Sequence, residues 1–284
     1  MMRFLKSILD FYIRSSLHVA VCFVALFIVF QFWNFKSIDL SLLGLVFCGV
    51  FIGYNIIKYA MLVLQKEGFR FKKYILILMS LALLIAIYLL AHDNWWTALM
   101  ALMASSCSLL YAFPLFKYRN WRQIPIIKLL TVAISWVILI GLLPLKSNYV
   151  EFAYAYSCDV APVVSSGSIL YILDLFQLFL LIIALCVPFE IRDLKYDSVS
   201  LKTLPQLIGV LNTKILGISI CVIYVVIEYL QFGFLIDHEF LINYFILFLV
   251  ATSIWFSDKF KSDYYASFFV EAIPVLWLGL YLII

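Results

Sequence analysis

Apolar residues along this chain gather into nine long runs separated by short polar breaks: Leu17–Phe32, Leu40–Leu64, Tyr74–Ala91, Trp95–Phe113, Ile126–Leu143, Ile169–Pro188, Ile215–Phe232, Phe240–Phe256 and Ser267–Ile284. A helix crossing a bilayer takes roughly 17–25 residues, the length these runs supply. They lack the alternation of barrel strands, and lipid offers no water to unpaired backbone groups, so helices are the spanning form that remains. The predicted fold is an all-α polytopic membrane protein with nine transmembrane helices. No Gly/Ser linker or charge tract divides the chain, so 1–284 reads as a single transmembrane domain. Ahead of the first run, Arg3, Lys6, Asp10 and Arg14 recur at helical spacing among Phe4, Leu5, Ile8, Leu9 and Tyr12. That pattern reads as an amphipathic interfacial helix over 1–15, or else as an extension of the first span.

Composition agrees: 66% of the 284 residues are hydrophobic and 13% charged, with a mean hydropathy of +1.10. Average proteins are about 45–50% apolar and about 25% charged. The net charge of +4 gives no reason to expect a nucleic-acid partner, but its distribution orients the chain. With the N-terminus cytoplasmic, 17 of the 20 basic residues fall on the inner side, only Lys36 and Lys146 lie outside, and Lys58 sits within the second run. This excess predicts a cytoplasmic N-terminus, an external C-terminus and, in a bacterial-type cell, residence in the inner membrane. The outer loop around Lys146–Ser168, nearly uncharged, is expected to rest on the membrane. The first run ends in Gln31-Phe32-Trp33-Asn34 without the small residues of a cleavage site, so it reads as a span and not a signal peptide. Cys22, Cys48, Cys107, Cys158, Cys186 and Cys221 show neither metal-ligand spacing nor a disulfide framework.

The densest charge in this oily chain lies just past the sixth run, in Phe189-Glu190-Ile191-Arg192-Asp193-Leu194-Lys195-Tyr196-Asp197. Glu190, Asp193 and Asp197 follow one another at spacings of three and four, which places them on one helical face. Stacked carboxylates repel unless a cation sits among them, and carboxylates completed by phosphates and water are how Mg²⁺ is usually held. A solvated mixed-charge loop neutralised by Arg192 and Lys195 is the alternative.

The run Arg192-Asp193-x-x-x-Asp197, followed by Leu201-Lys202-Thr203-Leu204-Pro205, resembles the second aspartate motif of the UbiA-type superfamily of intramembrane prenyltransferases. The segment Leu110-Tyr111-Ala112-Phe113-Pro114-Leu115-Phe116-Lys117, followed by Ile124-Pro125-Ile126-Ile127-Lys128, is similar to that family's stretch between helices four and five. The resemblance implies transfer of a prenyl group from a prenyl diphosphate to an acceptor, often aromatic. It implies Mg²⁺ held by Asp193 and Asp197, and substrate contacts from Asn55, Tyr111, Lys117, Arg119, Lys128, Arg192 and Lys202. The family's first motif, N-x-x-x-D-x-x-x-D, falls on Asn55, Tyr59 and Val63, so both of its acids are missing here.

Lys58 lies near the face of Asn55. A charged Lys within a span costs about 2.5–3.5 kcal/mol on insertion scales and is usually paired or functional. It is expected either to replace a lost metal, pairing with Asp193 or Asp197 or holding a phosphate oxygen, or to snorkel to the interface. For Asp174, Glu228 and Glu271, the other acids in the runs, a structural hydrogen bond is the first expectation. Three functions stay open: a prenyltransferase with altered metal use, an inactive binding or scaffold protein for isoprenoid lipids on the same fold, and a transporter.

Overall fold

A computed structural model of the chain describes residues 2–35, 38–113, 121, 124, 126–145, 164–197, 201–233, 238–260 and 262–283. The apolar runs are helices. We number them α1 (Met2–Arg14), α2 (Leu17–Phe35), α3 (Leu40–Leu64), α4 (Lys72–Ala91), α5 (Trp95–Ala112), α6 (Ile127–Val137), α7 (Val164–Asp193), α8 (Leu204–Ile208), α9 (Val210–Phe232), α10 (His238–Phe256) and α11 (Ile273–Tyr281). Seven helices are long and apolar enough to span a membrane. The fifth and ninth runs instead form shorter apolar helices, Ile127–Leu142 and Tyr265–Tyr281. Each contains a π turn, at Ile138–Leu142 and Tyr265–Val270. The outer loop around Lys146–Ser168 lies mostly outside the described residues, as do Lys117 and Arg119.

Local chemistry sets several boundaries. Asp39 caps α3 by accepting from the Ser41 and Leu42 amides, and Asn94 caps α5 by accepting from the Thr97 amide. Ser16, at φ 63°, separates α1 from α2, so the N-terminal segment is a helix of its own and not an extension of the first span. The sixth apolar run was expected to stop at Pro188, yet α7 continues through that proline to Asp193. Glu190, Arg192 and Asp193 therefore stand on helix, not loop.

The helices close into a ring. α2 packs on α3, α3 on α5, α5 on α6, α6 on α7, α7 on α9, α9 on α10, α10 on α11, and α11 returns to α2. α4 leans on α3 from outside, and most of its leucines and isoleucines are exposed, as befits a face turned to lipid. α2 is the most enclosed span, with Ala20, Phe23, Leu26 and Phe27 essentially inaccessible.

The π turns loosen the backbone ladder and leave carbonyls needing donors, which lipid cannot supply. At the first, Ile140 O accepts from Gln31 Nε2 (3.4 Å), Gly141 O from the Tyr171 hydroxyl (2.5 Å) and Leu142 O from Trp96 Nε1 (2.9 Å). Three helices are thereby pinned to α6. A side chain at Gly141 would bring its Cβ within 2.1 Å of Leu175 Cδ2, so the leucine would have to turn aside to admit one.

At the end of the ring away from the charged cluster, Asn243 ties three helices together. Its Nδ2 donates to Glu228 Oε1 (2.9 Å), while its Oδ1 accepts from Trp277 Nε1 (3.1 Å) and the Tyr281 hydroxyl (3.2 Å). Glu228 and Asn243 are both 2% exposed. Buried hydrogen bonds between membrane helices contribute about 0.6 kcal/mol on average, and orphaned buried groups cost more. Asn243→Leu is therefore expected to lower stability by about 2 kcal/mol, read as a fall in the unfolding midpoint in detergent, with Asn243→Gln losing less.

Candidate functional site

The last turns of α7 and the first turn of α6 converge at the charged end of the ring. Lys128 Nζ lies 2.7 Å from Glu190 Oε1 and 3.9 Å from Asp197 Oδ2. Two residues before Lys128, at the start of α6, the Ile126 backbone sits at φ 63°. A β-branched residue in that region stores strain of order 1–3 kcal/mol, which the surrounding packing must hold. Arg192 grips Asp193 Oδ1 through Nε (2.8 Å) and Nη2 (2.7 Å), donates from Nη1 to Ser267 Oγ, and lies over the Phe189 ring. The π turn at Tyr265–Val270 ends at Glu271, which joins Arg192 on the cavity wall.

Glu190, Arg192, Asp193, Lys128 and Glu271 line one end of a cavity of about 210 Å³ whose aromatic wall is Tyr54, Tyr111 and Trp136. Trp136 Nε1 donates to the Tyr54 hydroxyl (3.3 Å), and Phe23 packs against the indole. Tyr54, Tyr111, Val132 and Trp136 also line a neighbouring space of about 90 Å³. That space in turn shares Gly49, Gly53, Ser108 and Leu139 with an apolar cavity of about 300 Å³ among α3, α4 and α5. A charged cavity thus lies next to apolar space, separated from it by residues that line both.

Of the residues expected from sequence, Asp193, Arg192, Lys128 and Tyr111 meet in this cavity. Asp197 stays beside Lys128, its Oδ2 buried without a hydrogen bond among the described residues. Lys202 is exposed, at φ 49° ahead of α8. Glu271, for which sequence suggested only a structural hydrogen bond, belongs to the cavity, as do Tyr54 and Trp136. The signal for Glu271 was its isolation as an acid in an apolar run; for the two aromatics there was none.

The first-motif positions do something else. Asn55 is fully buried and donates from Nδ2 to Ser15 O and Phe51 O, both at 2.8 Å. The Tyr59 hydroxyl donates to Arg14 O (2.8 Å), and its ring stacks on Phe69. Lys58 Nζ donates to Ile13 O (3.3 Å). Of the alternatives for Lys58, pairing with Asp193 or Asp197 is not the contact found here: its ammonium reaches the α1–α2 junction, and Glu271 and Arg192 act on it electrostatically. Asn55, Lys58 and Tyr59 clamp the N-terminal helix in place.

α1 is tied down further by Asp10, which accepts from the Tyr264 hydroxyl and pairs with Arg70 Nη1 at 2.6 Å. The Tyr264 hydrogen bond, aided by Arg70, holds the Asp10 carboxyl below its usual range. Its contribution is therefore present above the ordinary carboxylate pKa of about 4 and fades as pH falls through the lower folded value. The protection factors of the α1 amides, with the intrinsic pH dependence of exchange divided out, are expected to fall on acidification through that window, and Asp10→Asn to remove this pH dependence while lowering protection at neutral pH.

Among the described residues, no three His, Cys, Asp or Glu side chains are grouped as a metal site. Glu190 and Asp193 are each committed to a cation of the protein, and Tyr59 and Val63 stand where the family's first motif has its acids. The described residues do not assemble the ligands for two magnesium ions that the family's two motifs together would supply.

No family model and no curated protein matches the sequence. Among solved structures, a UbiA homolog from Archaeoglobus fulgidus is similar, with a TM-score of 0.59 at 14% identity over 95% of this chain and 97% of that one. The chain shares the fold of that UbiA homolog over 95% of its length.

Proposed function

We propose that this chain is a UbiA-like membrane prenyltransferase, moving a prenyl group from a prenyl diphosphate to an acceptor. The observation that carries the reading is the charged cavity and the apolar cavities that share its walls. The first holds Lys128 and Arg192, and the space beside it is apolar, so charge and oil are arranged as in a prenyl diphosphate itself. Lys128 and Arg192 would hold phosphate oxygens by charge-assisted hydrogen bonds. Tyr54, Tyr111 and Trp136 would present aromatic faces to the allylic cation as the carbon–oxygen bond breaks, and the dry walls would keep water from it. Mg²⁺, which the family resemblance implies, finds no assembled ligand set, and the binding described needs only the protein's cations. The basic asymmetry of the sequence supports a charged mouth facing the cytoplasm.

The pairing of Glu190 with Lys128 and of Asp193 with Arg192 favours a second reading, a non-catalytic isoprenoid-binding protein, because both acids are already neutralised. The deciding experiment incubates purified protein with labelled geranyl, farnesyl and geranylgeranyl diphosphates, in Mg²⁺ and in EDTA, with candidate acceptors. Release of diphosphate with a prenylated product supports transfer. Tight binding without release supports the second reading, and no binding at any chain length sinks both.

A further inference from the structure

Cations and acids are matched unevenly across the charged end of the ring. Lys128, Arg192, Lys195 and Lys214 each reach a carboxylate oxygen at 2.5–2.7 Å. In the corner between α1 and the α3–α4 connection, cations are in surplus. Arg70 pairs there with Asp10 Oδ2 (2.6 Å) and donates from Nη2 to Ser7 Oγ (3.3 Å), and Phe11 packs edge-on against Phe71, so α1 is joined to that connection. Lys6, Arg14, Lys66 and Lys73 are exposed around the joint, and none has an ion pair among the described residues. Asp10 and Glu67 are the acids of segments 1–15 and 65–73, and Asp10 is already shared between Arg70 and the Tyr264 hydroxyl. Arg14 is also close enough to Lys58 for the two cations to repel each other. The corner has an oily border as well: Leu64, Tyr74 and Ile77, which flank it in the chain, are 66%, 63% and 56% exposed. Uncompensated positive charge of this kind concentrates anions, and apolar surface beside it selects those that carry a hydrocarbon.

We propose that this corner binds an anionic phospholipid, its headgroup drawn by Lys66, Lys73 and the exposed cations of α1, and its acyl chains lying along Leu64 and Ile77. Charge balance selects the headgroup. A zwitterionic lipid brings its own cation into a corner already short of anions, whereas phosphatidylglycerol brings net negative charge alone. Long lysine side chains reach such a headgroup by extending along apolar surface. Each Lys or Arg near an anionic membrane surface strengthens attachment by about fivefold. The lipid bridges the two segments that Arg70 and Asp10 already join, so it adds to the hold of Asn55, Tyr59 and Asp10 on α1. None of this depends on the transferase reading.

The test titrates the full chain, in a neutral detergent, with dioctanoyl phosphatidylglycerol, dioctanoyl phosphatidylcholine or inorganic phosphate, and reads the protection factors of the α1 amides by hydrogen exchange. Phosphatidylglycerol should raise protection at a concentration about tenfold or more below that of phosphatidylcholine. Inorganic phosphate, which meets the charge but not the apolar border, should act more weakly than phosphatidylglycerol. Lys66→Gln with Lys73→Gln, two exposed positions, should raise the phosphatidylglycerol concentration needed by about 25-fold, about fivefold for each lysine. Lys259→Gln, an exposed lysine outside the corner, should leave it unchanged. An equal response to the two lipids, or one that survives the double substitution, overturns the proposal. An equal loss in Lys259→Gln overturns it in favour of diffuse surface charge, and phosphate acting as well as phosphatidylglycerol overturns the lipid and leaves a simple anion site. The readout needs no turnover, so each outcome leaves the transferase reading to its own experiment.

Discussion

Lys128→Met should weaken prenyl diphosphate binding by at least about 100-fold and lower stability by about 3 kcal/mol, measured with a fluorescent farnesyl diphosphate analogue and by thermal unfolding in detergent. The stability loss follows from geometry. Lys128 sits 2.7 Å from Glu190 and 3.9 Å from Asp197, and the side chains of the close pair are only 16% and 8% exposed. Removing the cation strands buried carboxylates, and breaking such a pair costs about 3–5 kcal/mol when burial is complete. Partial access puts this pair at the lower end. The binding loss follows from charge: of the cations on the mouth wall, only Arg192 would remain, and it is already gripping Asp193.

Stability and binding separate in the double variant. Lys128→Met with Glu190→Gln removes the closer of the two stranded charges and leaves Asp197, so folding should partly recover while prenyl diphosphate binding stays poor. Wild-type affinity in that double variant would show that Lys128 serves only to neutralise Glu190, and the headgroup would have to be sought elsewhere.

What the sequence disclosed was decided by range. Helical spans are legible because lipid forces every backbone group to be satisfied within its own segment, so length and hydropathy suffice. The Glu190–Asp193–Asp197 face was legible because its members are three and four residues apart. The π turns within the fifth and ninth runs were not, since a π turn depends on donors from distant helices: Gln31, Trp96 and Tyr171 for one, and His18, whose Nε2 contacts Phe268 O, for the other. Pro188 looked like a terminator because a proline breaks the local ladder, yet α7 is held on both sides by α6 and α9 and runs past it. Glu271 faces the mouth through the second π turn, a rotation no periodicity reveals. The Lys58 contact was not legible for the same reason: its partner is a backbone carbonyl 45 residues away, and carbonyls carry no sequence signature.

Rebuilding the missing first motif is the sharper test of what replaced it. Asn55→Leu should cost about 3 kcal/mol, since it removes two 2.8 Å hydrogen bonds in a fully buried place and leaves Ser15 O unpaired where α1 turns into α2. Tyr59→Asp with Val63→Asp restores the family's two acids on paper. Tyr59, however, spends its hydroxyl on Arg14 O and its ring on Phe69, and Val63 is 37% exposed; neither lines the charged mouth. The double aspartate variant should therefore lose the clamp on α1, seen as faster amide exchange there, and gain no Mg²⁺-dependent affinity for prenyl diphosphate. A tenfold or greater Mg²⁺-dependent gain would mean that this face of α3 still reaches the headgroup, and that the loss of its acids is a recent change in an otherwise intact two-metal site. No gain would mean that the helix end has been given over to holding α1, leaving headgroup recognition to Lys128 and Arg192.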